Sequence, residues 1–458
     1  MDRPSPESSP HESSILRGLG LQTLSTLGLR AFQLGALLLT TAGLARVLGP
    51  REFGAYSYAS SWLSLLAGFA TAGFTHASVR EVAQSLALAE YTDTRSHIRT
   101  AYVTTLAASL LVVATVLVAS GILFAEGAGM ARAASIGAAL TPLLAMIMVA
   151  QAVLRGQGHT GRAQAAELLV LPGLMLLATV WLSLAGPTWR TADGALCLYG
   201  ACLLGALVIG VALQRRALPA EVRRGAARFD KKWIVAALPF VLVLVSLTVS
   251  AQFDVLTVGE VLGARETGVY AFAARLSMLP AIVMTVIATP LSPAIAALFA
   301  RREGAALQRL VGTAALGGAF GSIVVGVAVI VGAPWVMRSI DPTFEAGRGA
   351  LLILCLGRVG EAWFGPAGTV LAMTRHAWPA GVAVAAGALV SIALNLLLVG
   401  THGIEGAAYA TAGSCLLRGA VMWYWVRRFE GVRASAIEAL LSVARREPKP
   451  HADRLPPS

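Results

Sequence analysis

The sequence predicts an all-α polytopic membrane protein, with about twelve transmembrane helices in two parallel-repeat six-helix lobes around a central cavity. Three observations lead there. Hydrophobic residues make up 56% of the 458 and charged residues only 13%, whereas a soluble domain is about one quarter charged. About twelve stretches supply the roughly 20 apolar residues that a spanning helix needs, and the mean hydropathy is +0.71. Finally, V-L-G-P-R-E-F-G-A-Y-S-Y-A, from Val47 to Ala59, returns as V-L-G-A-R-E-T-G-V-Y-A-F-A from Val261 to Ala273. The shift is about 214 residues, close to half the chain, which marks a two-fold repeated architecture. A fainter echo links Leu154–His159 with Leu371–His376.

In chain order, residues 1–14 are polar and Pro/Ser-rich with mixed charge, and read as a disordered cytoplasmic tail without a signal peptide. The first lobe is expected over 15–213, with spans near 19–45, 55–79, 101–124, 133–153, 163–185 and 194–213. Residues 214–232, the most basic internal segment, form a cytoplasmic linker suited to anionic lipid headgroups. The second lobe is expected over 233–428, with spans near 233–258, 268–299, 309–336, 349–373, 377–399 and 404–426. The tail, 429–458, carries apolar residues at helical spacing among arginines over 431–446, which suggests a helix lying in the membrane interface. Pro and Gly recur inside the spans, as transmembrane helices tolerate.

The formal net charge of +12 has a membrane explanation rather than a nucleic-acid one. With the termini and the even-numbered loops on one side, that side collects about 25 of the 36 Lys and Arg, against about 7 opposite. The basic side is expected to be cytoplasmic, with both termini inside. Six spans per repeat is an even number, so the halves share an orientation about an axis along the membrane normal. Cys197, Cys202, Cys355 and Cys415 lie within apolar runs without C-x-x-C spacing and read as small core residues.

The informative side chains are the ionisable ones inside spans: Arg30, Asp254, Arg275, Arg358, Glu361 and Arg418. Each costs about 2.5–3.5 kcal/mol at the bilayer centre, so each should face a watery cavity or find a partner. On the first helix Thr23, Thr26, Arg30, Gln33 and Thr40 form one polar stripe, as do Ser246, Ser250, Asp254 and Thr257 on the seventh. Arg275, Thr285, Thr289 and Ser292 share a face of the eighth. In the repeat register Thr40 answers Asp254. Two readings stay open for these stripes, a lumen lining and plain helix–helix hydrogen bonding. Arg358 and Glu361, three apart, form either a mutual ion pair or part of a functional site. Arg418 lies nearer a helix end, within snorkelling reach of water, and His159 and His376 sit in loops. Arginine outnumbers acid among these groups, and guanidinium suits phosphate through forked hydrogen bonds. The expected ligand is therefore an anion carrying phosphate or pyrophosphate. No catalytic residues, metal ligands or cofactor are expected: the loops are short and hold no nucleophile–base pair or metal spacing.

The G-x-x-x-F-G-x-Y turn at Gly49–Tyr56, D-x-x-x-x-G at Asp254–Gly259 and G-x-Y-x-x-A-x-R-L at Gly268–Leu276 carry a family likeness. With them the chain resembles polysaccharide (O-antigen-type) flippases of the multidrug/oligosaccharidyl-lipid/polysaccharide exporter superfamily, over roughly residues 15–428. That resemblance implies alternating access in a bacterial inner membrane. It also implies an undecaprenyl-pyrophosphate-linked oligosaccharide substrate, surrounding membrane lipids, and a polysaccharide polymerase with its chain-length machinery as partners. Arg275 matches the place of a substrate-site arginine in the superfamily's lipid flippases; Arg30 matches by position on the first helix, and Arg358 completes the candidate set. Asp254 and Glu361 are candidates for ion coupling, and Gln33, Thr40 and Ser250 for the cavity lining. The rivals are a multidrug cation antiporter of the same superfamily, which the arginine excess disfavours, and a membrane polymerase or glycosyltransferase, which would need a larger loop for its chemistry.

Overall fold

The computed structural model describes residues 10–123, 128–158, 166–224, 228–374, 377–432 and 434–444. His159 and His376 fall outside them, as do the side chains of Thr23, Thr26 and Thr289. Every regular element among the described residues is helical.

Two unbroken runs each hold two spans. Pro10–Ala70 is split at Gly49 (φ 74, ψ 171) into α1, residues 10–48, and α2, residues 50–70; α2 resumes after a break as Phe74–Ala87. Ala377–Glu430 is split at Gly403 (φ 60, ψ −141) into α11, residues 377–402, and α12, residues 404–430. Between them come α3 (Tyr91–Leu123) and α4, which is Ala128–Ala139 bent by 41° into Thr141–Gly156. Next are α5 (Leu171–Leu184, entered through the π-turn Ala166–Val170), α6 (Ala192–Ala217), α7 (Lys232–Leu262) and α8 (Ala264–Ala300). The last are α9 (Gly304–Ile340) and α10, which is Arg348–Ala362 bent by 45° into Ala367–Met373. Among the described residues, seven helices are long and apolar enough to cross a membrane, and the two bent pairs raise that to nine. Dividing the two merged runs and adding the shorter apolar Leu168–Leu184 gives the twelve spans expected.

Pro10 starts α1 inside the stretch read as a tail, since proline at a helix start gives up only an N–H that has no partner there. The single turn Ala220–Arg224 interrupts the basic linker. The short α13 (Ala436–Ala444) rests on the protein: the Ala436 N–H donates to the Trp363 carbonyl at 2.9 Å, and Ala434 and Ala436 are fully buried.

The bundle is apolar outward as well as inward. Leu111, Leu184, Val331, Trp335 and Leu396 are exposed on their spans, as a lipid-facing surface requires. The interior is made of small residues and aromatics in which helices approach closely.

The repeated turns meet each other at the side opposite the basic loops. Gly49 and Gly263 (φ 86, ψ −179) adopt the same extended, positive-φ conformation, which glycine alone takes without strain. A turn further on, a Cβ at Gly54 would overlap the Ala264 carbonyl oxygen, and one at Gly268 would overlap that of Pro50. In the repeat register Pro50 answers Ala264 and Gly54 answers Gly268, so the two contacts exchange under the two-fold. This is an isologous interface inside one chain, and the axis relating the lobes runs through it.

At the basic side α7 is fastened to the first lobe. Lys232 Nζ lies 2.9 Å from Asp93, the Asp230 N–H donates to Thr100 Oγ1 at 3.1 Å, and Trp233 meets His97 edge-on at 4.9 Å. The break in α2 lies beside this anchor, where Gly73 (φ 81) leaves no room for a Cβ against the Ala237 carbonyl.

Candidate substrate site

Beneath the glycine contact a cavity of about 90 Å³ opens where both lobes meet. Ser57 and Ser61 on α2 face Ser250 and Asp254 on α7, Arg275 on α8, Arg358 on α10 and Thr411 on α12 across it. Its cover on the side opposite the basic loops is aromatic. Phe53 packs against Phe272 and Phe344 with ring centres 6.5 and 6.2 Å away, and Tyr56 lies 6.2 Å from Tyr199. Tyr58 of the first lobe donates to Glu260 of the second at the same level. Glu52, from the repeated turn, accepts the Ala192 N–H at 2.8 Å and so caps α6, whose first amides have no partner of their own.

Each buried charge has a distinct place. Asp254 is buried and accepts three hydrogen bonds, from the Val255 N–H at 2.8 Å, Tyr270 at 2.8 Å and Thr411 at 3.2 Å. It therefore ties α7, α8 and α12 together. Glu361 accepts from Arg418 Nε and Nη2 at 3.0 and 2.5 Å, while Arg358 Nη1 stands 3.8 Å from its other oxygen. Both acids are thus engaged by the second lobe itself. Arg275 is half-buried beside Tyr56 and Tyr199 and makes no hydrogen bond or ion pair among the described residues. Arg358 has a buried Nε without a hydrogen-bond partner. The cavity therefore carries positive charge that the protein's acids do not cancel.

Of the residues that the sequence singles out, four come together here: Arg275, Arg358, Asp254 and Ser250. Glu361 lies one turn from Arg358 in a second cavity of about 470 Å³ within the second lobe, shared with Arg418 and Ser292; Arg358 lines both. Arg418 spends its guanidinium on Glu361 rather than reaching water at a helix end. Arg30, Gln33 and Thr40 lie on α1, outside the cavity that holds Arg275; Thr40 is buried and its Oγ1 has no partner among the described residues. Across the cavity that holds Arg275, the first-lobe wall opposite α7 is α2. Tyr270, Thr411, Ser57 and Ser61 join the site beyond those expected. Tyr56 and Tyr270 stand out in the sequence as identities of the repeat, whereas no sequence signal marks Thr411.

Two six-helix lobes related by a two-fold, with a charged cavity where they meet, form the framework of a membrane transporter. The chain belongs to the polysaccharide biosynthesis protein family, whose model matches residues 17–299. Among solved structures, an inward-facing multidrug resistance MATE family transporter of the MOP superfamily superposes with a TM-score of 0.68 at 16% identity, covering 89% of this chain and 97% of its own. The lipid II flippase MurJ, in an inward closed conformation, gives 0.63 at 14% identity, covering 93% and 92%. A MOP superfamily transporter from Pyrococcus furiosus gives 0.56 at 16%, covering 90% and 94%. The chain shares the fold of these transporters. No protein in the curated set matches the sequence.

Proposed function

We propose that the protein flips undecaprenyl-pyrophosphate-linked oligosaccharide repeat units from the cytoplasmic to the periplasmic leaflet of a bacterial inner membrane, for O-antigen-type polysaccharide assembly. The observation that carries the reading is the unpaired Arg275 beside Arg358 in a cavity on the two-fold axis. A half-buried guanidinium without an ion pair among the described residues suits a pyrophosphate headgroup, and a lumen for cations would need an excess of acids. Family membership supports the pathway. The fold shared with a lipid II flippase supports a lipid-linked cargo.

In this mechanism the headgroup enters from the basic side, taken as cytoplasmic, and meets Arg275 and Arg358, with Arg30 on its way along α1. The cavity of about 90 Å³ has room for a few waters and none for a glycan. Substrate entry must therefore spread the lobes, and release must open the glycine contact on the other side. The glycan crosses in water while the lipid tail stays in the bilayer. An anion leaving an inside-negative compartment gains about 2.3 kcal/mol per charge per 100 mV, enough to bias the cycle without a coupled ion. Asp254 and Glu361 are the acids available to a coupling proton or sodium ion. Asp254 is the better placed, since Glu361 would first have to surrender Arg418. Once across, the cargo would pass to the polymerase and chain-length machinery.

The test follows labelled undecaprenyl-linked glycan in cells lacking the protein, using a membrane-impermeant periplasmic probe. Accumulation of shielded intermediates with loss of surface polymer is expected, and complementation by Arg275→Ala should fail despite normal membrane insertion. Intermediates that reach the probe as before would overturn the proposal, and full export by Arg275→Ala would remove the arginine's role.

A further inference from the structure

A larger cavity lies away from the two-fold axis, on the basic side of the first lobe. Its volume is about 820 Å³, and it is enclosed by α3, α4, α6 and the one-turn linker helix Ala220–Arg224. Four arginines stand around it: Arg95 and Arg99 from the first turns of α3, Arg215 from the last turn of α6, and Arg223 from the linker. No acid lines it among the described residues, and apart from Tyr102 and Gln214 the rest of its wall is apolar, with Ile98, Met146, Val211, Leu218 and Val222.

Depth sorts these residues into two layers. The arginines belong to helix ends and to the linker, at the level where a span meets water. Further in, Met146 lies about 15 Å from the end of α4 at Gly156, at 1.5 Å per residue, and Val211 stands one turn before Arg215. At the rim, next to Arg215, the buried Gln214 side chain accepts a hydrogen bond from the Tyr102 hydroxyl at 2.5 Å. The inner wall is thus apolar and the rim cationic. That is the profile of a phospholipid, phosphate outward and acyl chain inward.

We infer that this cavity binds one anionic glycerophospholipid of the basic-side leaflet, its phosphate held by Arg95, Arg99, Arg215 and Arg223 and the start of an acyl chain lying against Val211 and Met146. Basic pockets between transmembrane helices on this side are suited to such headgroups. The site joins parts that must move. Arg95 Nη1 donates to the Val222 carbonyl at 2.9 Å, fastening α3 to the linker. A few residues on, the linker is fixed to the same helix through Arg228 on Ser96 and Asp230 on Thr100. A lipid bridging the four arginines stiffens the segment that leads into α7, and with it the setting of one lobe against the other.

The experiment uses the purified full-length protein and native mass spectrometry, with phosphatidylglycerol, phosphatidylcholine and inorganic phosphate as probes. One phosphatidylglycerol should be retained in preference to phosphatidylcholine, and millimolar phosphate should not displace it, because phosphate lacks the chain. Arg215→Gln with Arg223→Gln, which leaves the Arg95 contact intact, should weaken retention about thirtyfold, at about fivefold for each arginine near the surface. Arg215→Lys with Arg223→Lys should keep most of it, and a Val211→Trp replacement should exclude the lipid with all four charges present. Equal retention of the two phospholipids, unchanged retention in the glutamine pair, or displacement by phosphate alone would each overturn the assignment. A lipid-linked pyrophosphate outcompeting phosphatidylglycerol at equal concentration would overturn it in favour of a substrate-loading site. None of these outcomes depends on flipping activity, so failure here is separable from failure of the transport proposal.

Discussion

Burying an arginine in a membrane span is costly unless something repays it, and this chain does so in two ways. Arg418 is repaid by Glu361; Arg275 is not repaid by any described residue, which is why the ligand is assigned to it. The two should respond differently to substitution. Glu361→Gln leaves Arg418 and Arg358 without their acid and should lower stability by about 3 kcal/mol, the scale for breaking one side of a buried pair. Adding Arg418→Gln should restore much of that, read as thermal unfolding in detergent. Recovery failing to appear would mean that Glu361 is held by something other than its arginines. Arg275→Ala should leave stability nearly unchanged while abolishing export. The sequence showed which charges were buried, because an arginine in an apolar run is conspicuous. It did not show which were paired: Glu361 and Arg418 are 57 residues apart, and their meeting depends on how α10 packs against α12. The nearer spacing of Arg358 to Glu361 pointed to an ion pair, which the structure forms at 3.8 Å while Arg418 takes the shorter bonds.

Helices and turns were the most readable level. The apolar runs located the spans, and the repeated glycines located the turn at which α1 gives way to α2 and α7 to α8. What periodicity could not reveal was the bend in α4 and in α10, or the break in α2, since these answer to neighbours rather than to local pattern. Nor could it show that α2 rather than α1 faces α7 beside Arg275, because a polar stripe marks a face without naming its partner. The glycine contact gives a direct test. A methyl at Gly54 or Gly268 has no space against the facing backbone, so Gly54→Ala and Gly268→Ala should hold the lobes apart on that side. With the four native cysteines replaced by alanine and a reporter introduced by Ser61→Cys, labelling by a membrane-impermeant thiol reagent should rise at least severalfold over the parent. Equal protection in both would mean that the contact is not what closes the cavity.

For the molecule as a whole, the two-lobe plan was legible from a single repeated phrase, while the closed arrangement of the lobes was not, since both states of a rocking protein share one sequence. Alternating access requires that this closure be temporary. Tyr58 and Glu260 bridge the lobes beside the glycine contact, so Tyr58→Cys with Glu260→Cys, joined by a short bifunctional thiol reagent, should stop transport, and cleaving the bridge should restore it. Continued transport by the bridged protein would show that this side does not open. The swapped contacts of Pro50 with Gly268 and Gly54 with Ala264 carry a meaning for ancestry. A single six-helix unit pairing with its own twin would touch itself through this same turn, so the interface is complete before the halves are joined. Because each half crosses the membrane an even number of times, a tandem gene fusion puts the second copy in with its sense unchanged, and a short basic segment suffices to tie them. Once the copies share one chain their turns are free to diverge, and Tyr270 can come to hold Asp254 while its counterpart Tyr56 stands beside Arg275.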